Sequence, residues 1–214
     1  MARNSPEPLY HRPMTAPSPD LSAFILAGGK STRMGVDKAF VTLDGKTLMA
    51  RALDLAHSIT PNVRIVGDPA KFSPFAPTVE DIFPNRGPLA GIHAALRSSQ
   101  TDLNLILAVD VPFISPAFLQ YLLNRASNSA ALVTVVQSGG GYQPLCALYR
   151  REFAEAAEQA LQAGRYKIDT LFTPTTTQTI TEEELKNVDF SPSLFRNLNT
   201  PRELSEASEQ ANHH

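Results

Sequence analysis

The stretch from Ser22 to Lys38 reads SAFILAGGKSTRMGVDK, and it predicts a buried strand followed by a loop that closely approaches a ligand. Residues 22–26 are apolar and are stopped by glycines, which is the pattern of a fully buried strand. Gly28, Gly29 and Gly35 remove side chains where a backbone turns tightly or lies against a bound molecule. In α/β sheets, ligands bind at loops that leave the carboxyl ends of the strands, which is where this loop stands.

The charges of the same loop favour polyphosphate binding over a plain glycine-rich surface turn. Lys30, Arg33 and Lys38 place three positive charges within nine residues, beside the hydroxyls of Ser31 and Thr32. Free backbone N–H groups flanked by cations form anion-binding loops. The loop therefore predicts a site for the phosphates of a nucleotide.

Two common phosphate-binding loops do not fit these residues. A Walker A loop requires a glycine five residues before its Gly-Lys-Ser, and Phe24 occupies that position, within the predicted strand. A dinucleotide-binding fingerprint requires Gly-x-Gly-x-x-Gly, which the adjacent pair Gly28 and Gly29 does not supply. P-loop kinases and Rossmann dehydrogenases are excluded.

Beyond this loop, strand-like and helix-like patterns alternate along the chain. Strands are predicted at residues 62–66, 103–109, 131–136 and 145–149, and helices at 47–59, 89–98, 115–126 and 152–163. Thr47 and Ser115 are expected to cap their helices, and Pro116 fits the first turn after Ser115. Strands separated by helices imply right-handed βαβ crossovers, so we predict a three-layer α/β/α sandwich with a mostly parallel sheet.

Length and composition place this sandwich in one domain and exclude other classes of protein. The 214 residues carry a formal net charge of −2, without the basic excess of a nucleic-acid-binding protein. Cys146 is the single cysteine, which fits a reducing, cytoplasmic location, and no apolar stretch is long enough to span a membrane. Residues 1–20 contain five prolines and are expected to form a disordered leader, residues 21–208 the domain, and residues 209–214 a flexible tail.

The glycine loop resembles the nucleotidyltransferase signature Leu-x-x-Gly-x-[Ser/Thr]-x-Arg-x-Gly-x-x-Lys. Its matches here are Leu26, Gly29, Ser31, Arg33, Gly35 and Lys38. The form LAGGKSTRMGVDKA, with GPLAG at 87–91 and NLNTPREL at 197–204, is similar to the molybdenum cofactor guanylyltransferase family, and the resemblance covers about residues 21–208. It implies a Rossmann-like nucleotidyltransferase fold and transfer of GMP from GTP to the terminal phosphate of molybdopterin, with release of pyrophosphate.

The resemblance also implies roles for particular residues. Asp110 directly follows an apolar strand and is expected to hold Mg²⁺, which in proteins usually takes one or two carboxylates plus phosphate oxygens. Arg33, Lys38 and Asp110 are the expected catalytic residues. The expected nucleotide-binding residues are Leu26, Ala27, Gly28, Gly29, Lys38, Asp81, Pro88, Leu89, Gly91 and Asp110. At Gly67 and Asp68 the chain departs from the family, in which an asparagine often contacts the base or ribose.

On the acceptor side, Arg165 and Lys167 are candidates to hold the phosphate of molybdopterin, and Asn197 and Asn199 to face the pterin. Each also has an ordinary structural interpretation, as solvated turn residues or, for Asn199, as a helix cap. Cofactor-delivery proteins are expected as further partners. Three alternatives stay open: a cytidylyltransferase for the same pterin, a nucleotidyltransferase acting on a sugar or alditol phosphate, and a nucleotide-binding regulator without catalysis.

Overall fold

The computed structural model describes residue 18, residues 20–28, residues 37–198 and residue 203. The predicted tail and nearly all of the predicted leader lie outside these residues. Within them, the strands are β1 (Leu21–Leu26), β2 (Thr42–Leu43), β3 (Lys46–Thr47), β4 (Asn62–Val66), β5 (Thr78–Val79), β6 (Leu103–Ala108), β7 (Val133–Ser138), β8 (Gly141–Tyr142), β9 (Cys146–Arg150) and β10 (Thr177–Ile180). The helices are α1 (Leu48–His57), α2 (Pro69–Phe72), α3 (Pro88–Ser98), α4 (Pro116–Ser127), α5 (Phe153–Gln162) and α6 (Glu182–Asn187), with 3-10 turns at Lys38–Phe40, Ile168–Leu171 and Pro192–Phe195.

One mixed sheet organises the chain. Its strand order is β10-β7-β9-β6-β1-β4-β5, with β8 paired to β7, while β2 and β3 form a separate two-stranded hairpin. β1 runs parallel to β4 and β6, with Ile25 opposite both Ile65 and Leu107. β9 is antiparallel to β6 and to β7, whereas β7 and β10 are parallel. The predicted mostly parallel sheet is confirmed, with β9 as an antiparallel insertion.

Helices cover both faces of this sheet, so the predicted three-layer α/β/α architecture is confirmed. Alternation along β1 sends Ile25 into a core shared with α1 and α4, and Phe24 into a second core shared with α3 and α5. Both side chains are fully buried. Because both faces of β1 are buried, its sequence is continuously apolar rather than alternating.

The predicted helix starts are confirmed by their caps. The Thr47 hydroxyl accepts from the Ala50 N–H at 3.2 Å, and the Ser115 hydroxyl accepts from the Phe118 N–H at 3.2 Å. α1 ends at His57, two residues before the predicted end at Ile59, because the chain leaves the helix there to enter β4. No helix of the described residues is long and apolar enough to cross a membrane.

The carboxyl edge of the sheet collects the loops that follow β1, β4, β5, β6 and β7. These strands all run in one direction, since β7 is antiparallel to β9, which is antiparallel to β6. In open α/β sheets this edge is where ligands bind. Gly28, Asp81, Asp110 and the Gly139–Gly141 segment therefore stand along one edge.

Candidate active site

An ion pair joins the two residues that the sequence singled out most strongly. The Lys38 ammonium donates to Asp110 Oδ2 at 2.9 Å, across 72 residues of sequence. Lys38 closes the glycine loop after β1, and Asp110 follows the adjacent strand β6. Each side chain is about one-fifth exposed, with relative accessibilities of 20% and 21%. A cation and a carboxylate that stay open to solvent at this edge can both reach a bound phosphate and its counter-ion.

Contacts with α2 fix the backbone that carries Lys38. Asp37 caps the 3-10 turn by accepting from the Ala39 N–H at 3.1 Å, and its other oxygen lies 3.2 Å from the Lys71 ammonium. The ring of Phe40 stacks on that of Phe72, with centroids 5.9 Å apart. Lys38 therefore lies in a turn that is fixed on one side by Asp37 and on the other by Phe40. The cap could have been read from the sequence, since aspartate favours this position, whereas the contact with Lys71 depends on the tertiary fold.

The backbone around Asp110 is tied to both of its neighbours. The Val109 N–H donates to the Leu26 carbonyl at 3.4 Å, which joins the ends of β6 and β1. The Asp110 carbonyl accepts from the Leu198 N–H at 3.1 Å. This second bond brings Asn197, the residue before Leu198, close to the Asp110 loop. Asn199 lies outside the described residues.

Three of the predicted nucleotide-binding residues meet at the start of α3. A methyl group added at Gly91 would lie 3.3 Å from Leu26 Cδ2 and 3.6 Å from Asp81 Oδ1. Burial raises the pKa of the Asp81 carboxyl above its ordinary value. Pro88 is the first residue of α3, and Leu89 turns its side chain into the core, so only its backbone can face a ligand.

The first residues of the glycine loop leave open space at the end of β1. The Ala27 N–H donates to the Val66 carbonyl at 3.0 Å, which continues the pairing of β1 with β4. No described atom lies within 4 Å of a methyl group added at Gly28. Gly29 and Arg33 lie outside the described residues, and so do the other loop residues from 30 to 36.

In the loop after β4, Gly67 and Asp68 both have structural roles. A side chain at Gly67 would meet the Phe72 ring at 2.9 Å, so the packing of Phe72 requires glycine there. The Asp68 carboxylate caps α2 by accepting from the Ala70 N–H at 2.9 Å. Asp68 therefore has a structural role at this departure from the family pattern.

The two cationic acceptor candidates stand on an exposed segment after α5. Arg165 and Lys167 flank Tyr166, whose hydroxyl accepts from Arg86 and whose ring lies 5.0 Å from the Arg86 guanidinium carbon. Among the described residues, the hydrogen bonds and ion pairs of Asp110 include neither Arg165 nor Lys167. Arg86, which precedes the Gly-Pro-Leu-Ala-Gly motif by one residue, was not among the site residues predicted from the sequence, and its contact with Tyr166 places it beside these two candidates.

A metal ion at this site would need ligands from the substrate. Within the described part of the chain, no three His, Cys, Asp or Glu side chains come together as a metal site. Asp110 supplies one hard carboxylate at the sheet edge. Mg²⁺ in proteins is commonly held by one or two carboxylates together with phosphate oxygens and water, so the residues present fit Mg²⁺ bound jointly with a nucleotide.

The fold is a three-layer α/β/α sandwich, and the carboxyl edge of its sheet carries the start of a glycine loop, a lysine and an aspartate. These features together define an α/β protein suited to nucleotide transfer. The family model described as the MobA-like NTP transferase domain matches residues 23–176. This chain belongs to that family, and it is an enzyme of the nucleotidyltransferase class.

The similarity of this chain to its relatives extends over most of its length. A protein from Desulfosudis oleivorans named molybdenum cofactor guanylyltransferase is 35% identical over 190 residues, which cover 87% of this chain and 94% of the relative. A protein of the same name from Syntrophotalea carbinolica is 31% identical over 184 residues, covering 84% and 86%. The crystal structure of molybdopterin-guanine dinucleotide biosynthesis protein A from Archaeoglobus fulgidus superposes with a TM-score of 0.78 at 27% identity, over 90% of this chain and 100% of that chain. The family resemblance drawn from the glycine loop is confirmed.

Proposed function

We propose that this enzyme transfers GMP from GTP to the terminal phosphate of molybdopterin, which forms the guanine dinucleotide cofactor and releases pyrophosphate. The names of the relatives support this substrate pair. The observation that carries the proposal is the pairing of Lys38 with Asp110 at 2.9 Å beside the glycine loop. A protein that only binds a nucleotide has no transition state to stabilise, whereas a partly exposed cation and carboxylate side by side can stabilise one.

The reaction is an in-line displacement at the α-phosphorus of GTP. An oxygen of the molybdopterin phosphate forms the new bond to phosphorus, and the bond to the bridging oxygen of pyrophosphate breaks. The attacking phosphate is already ionised near neutral pH, so no general base is required. Catalysis then rests on positioning and on stabilising charge that develops on the phosphates.

Lys38 and the glycine loop supply this stabilisation. The Lys38 ammonium, now held by Asp110, would turn to the α-phosphoryl oxygens once a nucleotide is bound. No described atom fills the place of a side chain at Gly28, and phosphate oxygens would approach the backbone N–H groups there. Arg33 and Gly29 are proposed, from the signature they complete, to hold the β- and γ-phosphates.

Asp110 is the proposed ligand for Mg²⁺. Its second carboxylate oxygen is available while Oδ2 accepts from Lys38, and the phosphates of GTP would complete the coordination. A bound Mg²⁺ neutralises charge on the phosphate oxygens. Asp110 would hold this ion close to the α-phosphate, because Asp110 follows β6 and the glycine loop follows the adjacent strand β1.

The base site is proposed to lie between Asp81 and the start of α3. An exocyclic amine of guanine needs an acceptor, and the Asp81 carboxylate next to Gly91 can provide one. Backbone groups of Pro88 and Leu89 would read the remaining base edge. Asn197 precedes Leu198, whose N–H donates to the Asp110 carbonyl, and is proposed, with Asn199, to face the pterin. Arg165 and Lys167 are proposed to hold its phosphate.

A cytoplasmic location is proposed with this reaction, since the single thiol of Cys146 is buried and unpaired. Proteins that deliver the pterin are proposed as partners, and nucleic acid is not, because the formal net charge is −2.

The test measures pyrophosphate released from each of the four nucleoside triphosphates with Mg²⁺, in the presence and absence of molybdopterin. We expect release from GTP only, and only with the pterin. Asp110→Asn should abolish it, whereas Asp102→Asn, which removes an exposed carboxylate paired with Arg150 at the opposite end of β6, should not. Release from CTP would establish the cytidylyltransferase alternative, and release with a sugar phosphate in place of the pterin would overturn the proposed acceptor.

A further inference from the structure

A tight hairpin rises from the carboxyl edge of the sheet at the end of β7. β8 folds back on β7, with Gln137 opposite Tyr142 and Ser138 opposite Gly141. The two residues between the strands, Gly139 and Gly140, have φ angles of 62° and 77°. Positive φ at both central positions is the requirement of a type I′ turn, which explains a glycine at each.

Glu182 fastens this turn to α6. One carboxylate oxygen of Glu182 accepts from the Ser138 hydroxyl at 3.1 Å and from the Gly139 N–H at 2.6 Å. These two bonds lower the pKa of the Glu182 carboxyl, with the bond from the backbone of Gly139 as the larger cause. The two bonds therefore favour the ionised form of this carboxyl.

The helix that carries Glu182 is itself fixed. α6 starts with a capping box, in which Thr181 and Glu184 satisfy each other's backbone N–H groups. Glu184 also accepts from Arg125 of α4 at 2.7 Å, and Leu185 is completely buried. The helix that carries Glu182 is therefore fixed to the core, and the hydrogen bonds of Glu182 fix the position of the turn relative to that core.

The position of the hairpin relative to Asp110 follows from the strand order. β7 lies two strands from β6, about 10 Å across the sheet, on the side away from β1 and the glycine loop. In an in-line displacement the attacking oxygen enters opposite the leaving pyrophosphate. If the glycine loop holds pyrophosphate on one side of Asp110, the acceptor must approach from the other side, which is the side of the hairpin.

The surface of the hairpin has room for such a ligand. Gly141 has no positive φ, and no described atom lies within 4 Å of a methyl group added there. The fold of the described chain therefore does not require glycine at this position. Neither packing nor backbone conformation explains the glycine at position 141. Close approach of a ligand would explain it.

We propose that Glu182 is a positioning residue for the acceptor: it holds the turn at Gly139 and Gly140 so that the hairpin presents Gly141 to the molybdopterin half of the substrate pair. This inference rests on the proposed function, because it takes the acceptor from it. Glu182 itself touches neither substrate.

The experiment compares Glu182→Ala, Glu182→Gln and Glu183→Ala in the pyrophosphate assay, with molybdopterin and GTP varied separately. Glu183 is a neighbouring exposed carboxylate and serves as the matched control. We expect Glu182→Ala to raise the KM for the pterin about tenfold, the equivalent of one lost hydrogen bond to a charged group, with the KM for GTP unchanged. Glu182→Gln keeps an oxygen acceptor for the Gly139 N–H and should restore most of the affinity, and Glu183→Ala should behave as wild type.

A second variant tests the hairpin surface without removing its anchor. Gly141→Val adds a side chain in open space and should raise the KM for the pterin at least about tenfold with an unchanged melting temperature. Ala130→Val, an exposed position before the amino end of β7 at the opposite edge, is the control. Equal effects of Glu182→Ala on both substrates, or none on the pterin, would overturn the positioning role while leaving the proposed function intact. A wild-type enzyme with no pterin-dependent release would overturn both.

Discussion

Replacing Lys38 by methionine separates what the Lys38–Asp110 pair contributes to the fold from what it contributes to the reaction. Methionine keeps an unbranched apolar side chain and removes the ammonium. At the observed 2.9 Å, the charges attract by about 1.4 kcal/mol at the dielectric constant of water and about 6 kcal/mol at an effective value of about 20. Both groups are about one-fifth exposed and lose part of their hydration on pairing, so the net contribution to folding should be only about 1 kcal/mol.

The expected kinetic effect is larger than this. Removing one preorganised charge from a transition state typically lowers kcat by about 10²–10³-fold, or about 2.7–4 kcal/mol. We therefore expect Lys38→Met to lose at least about 100-fold in turnover while urea denaturation shows a change of about 1 kcal/mol. Pyrophosphate release and urea unfolding would be measured on the same preparation, with Arg97→Met as a control that removes an exposed cation in the last turn of α3, where it is paired with Glu158. A turnover loss of tenfold or less, or a loss that Arg97→Met reproduces, would refute the assigned role.

Three further predictions concern the base site and two buried side chains. Gly91→Ala places a methyl group 3.3 Å from Leu26 Cδ2, and it should raise the Kd for GTP at least about fivefold in calorimetry while changing stability by no more than about 1 kcal/mol. His93 is 1% exposed and burial lowers its pKa below 6.5, so the free energy of unfolding should fall as the pH drops below 6.5, where the unfolded chain takes up the proton first; His93→Leu should flatten this decline in urea titrations. Burial raises the pKa of the Cys146 thiol to about 12, so a thiol reagent at pH 8 should react only after unfolding.

Each of these predictions has an outcome that contradicts it. Unchanged GTP affinity in Gly91→Ala would remove the start of α3 from the base site. If His93→Leu keeps the wild-type decline below pH 6.5, burial of His93 is not the cause. Rapid reaction of Cys146 in the folded protein would show that the thiol is reached by solvent in the native ensemble.

Local signals in the sequence were sufficient for most of the sheet and its helices. β1 and β6 are apolar on both faces, which only a covered sheet explains, and β4 was predicted with the bounds that the structure has. The start of α4 followed from Ser115 and Pro116, because a cap and a first-turn proline act within one turn of helix. In each case the deciding interactions lie within a few residues of one another.

Elements that depend on distant partners were not predicted. β10 contains three polar residues among its four, and it becomes a strand only because β7 offers a parallel edge. The antiparallel direction of β9 follows from the short link after β7, which is too short for a parallel crossover. The direct contact of Lys38 with Asp110 requires the order β6-β1, which no local pattern contains; the family resemblance assigned both residues to one site, and the fold supplies the contact between them.

The glycines at this edge differ in whether packing or backbone conformation requires the absence of a side chain. Gly67 is crowded by Phe72, so packing accounts for its absent side chain, whereas a methyl group at Gly91 would require Leu26 to shift by only a few tenths of an ångström. Gly28 and Gly141 have neither positive φ nor a described neighbour within 4 Å of an added methyl group. Gly28 follows β1 and Gly141 lies in β8, which pairs with β7, so the two glycines are on opposite sides of β6, the strand that precedes Asp110. A displacement reaction needs open surface on both sides of its reacting phosphorus, one for the leaving group and one for the nucleophile. Valine at Gly28 should therefore weaken binding of GTP and valine at Gly141 binding of the pterin, and the opposite assignment would reverse the proposed direction of attack.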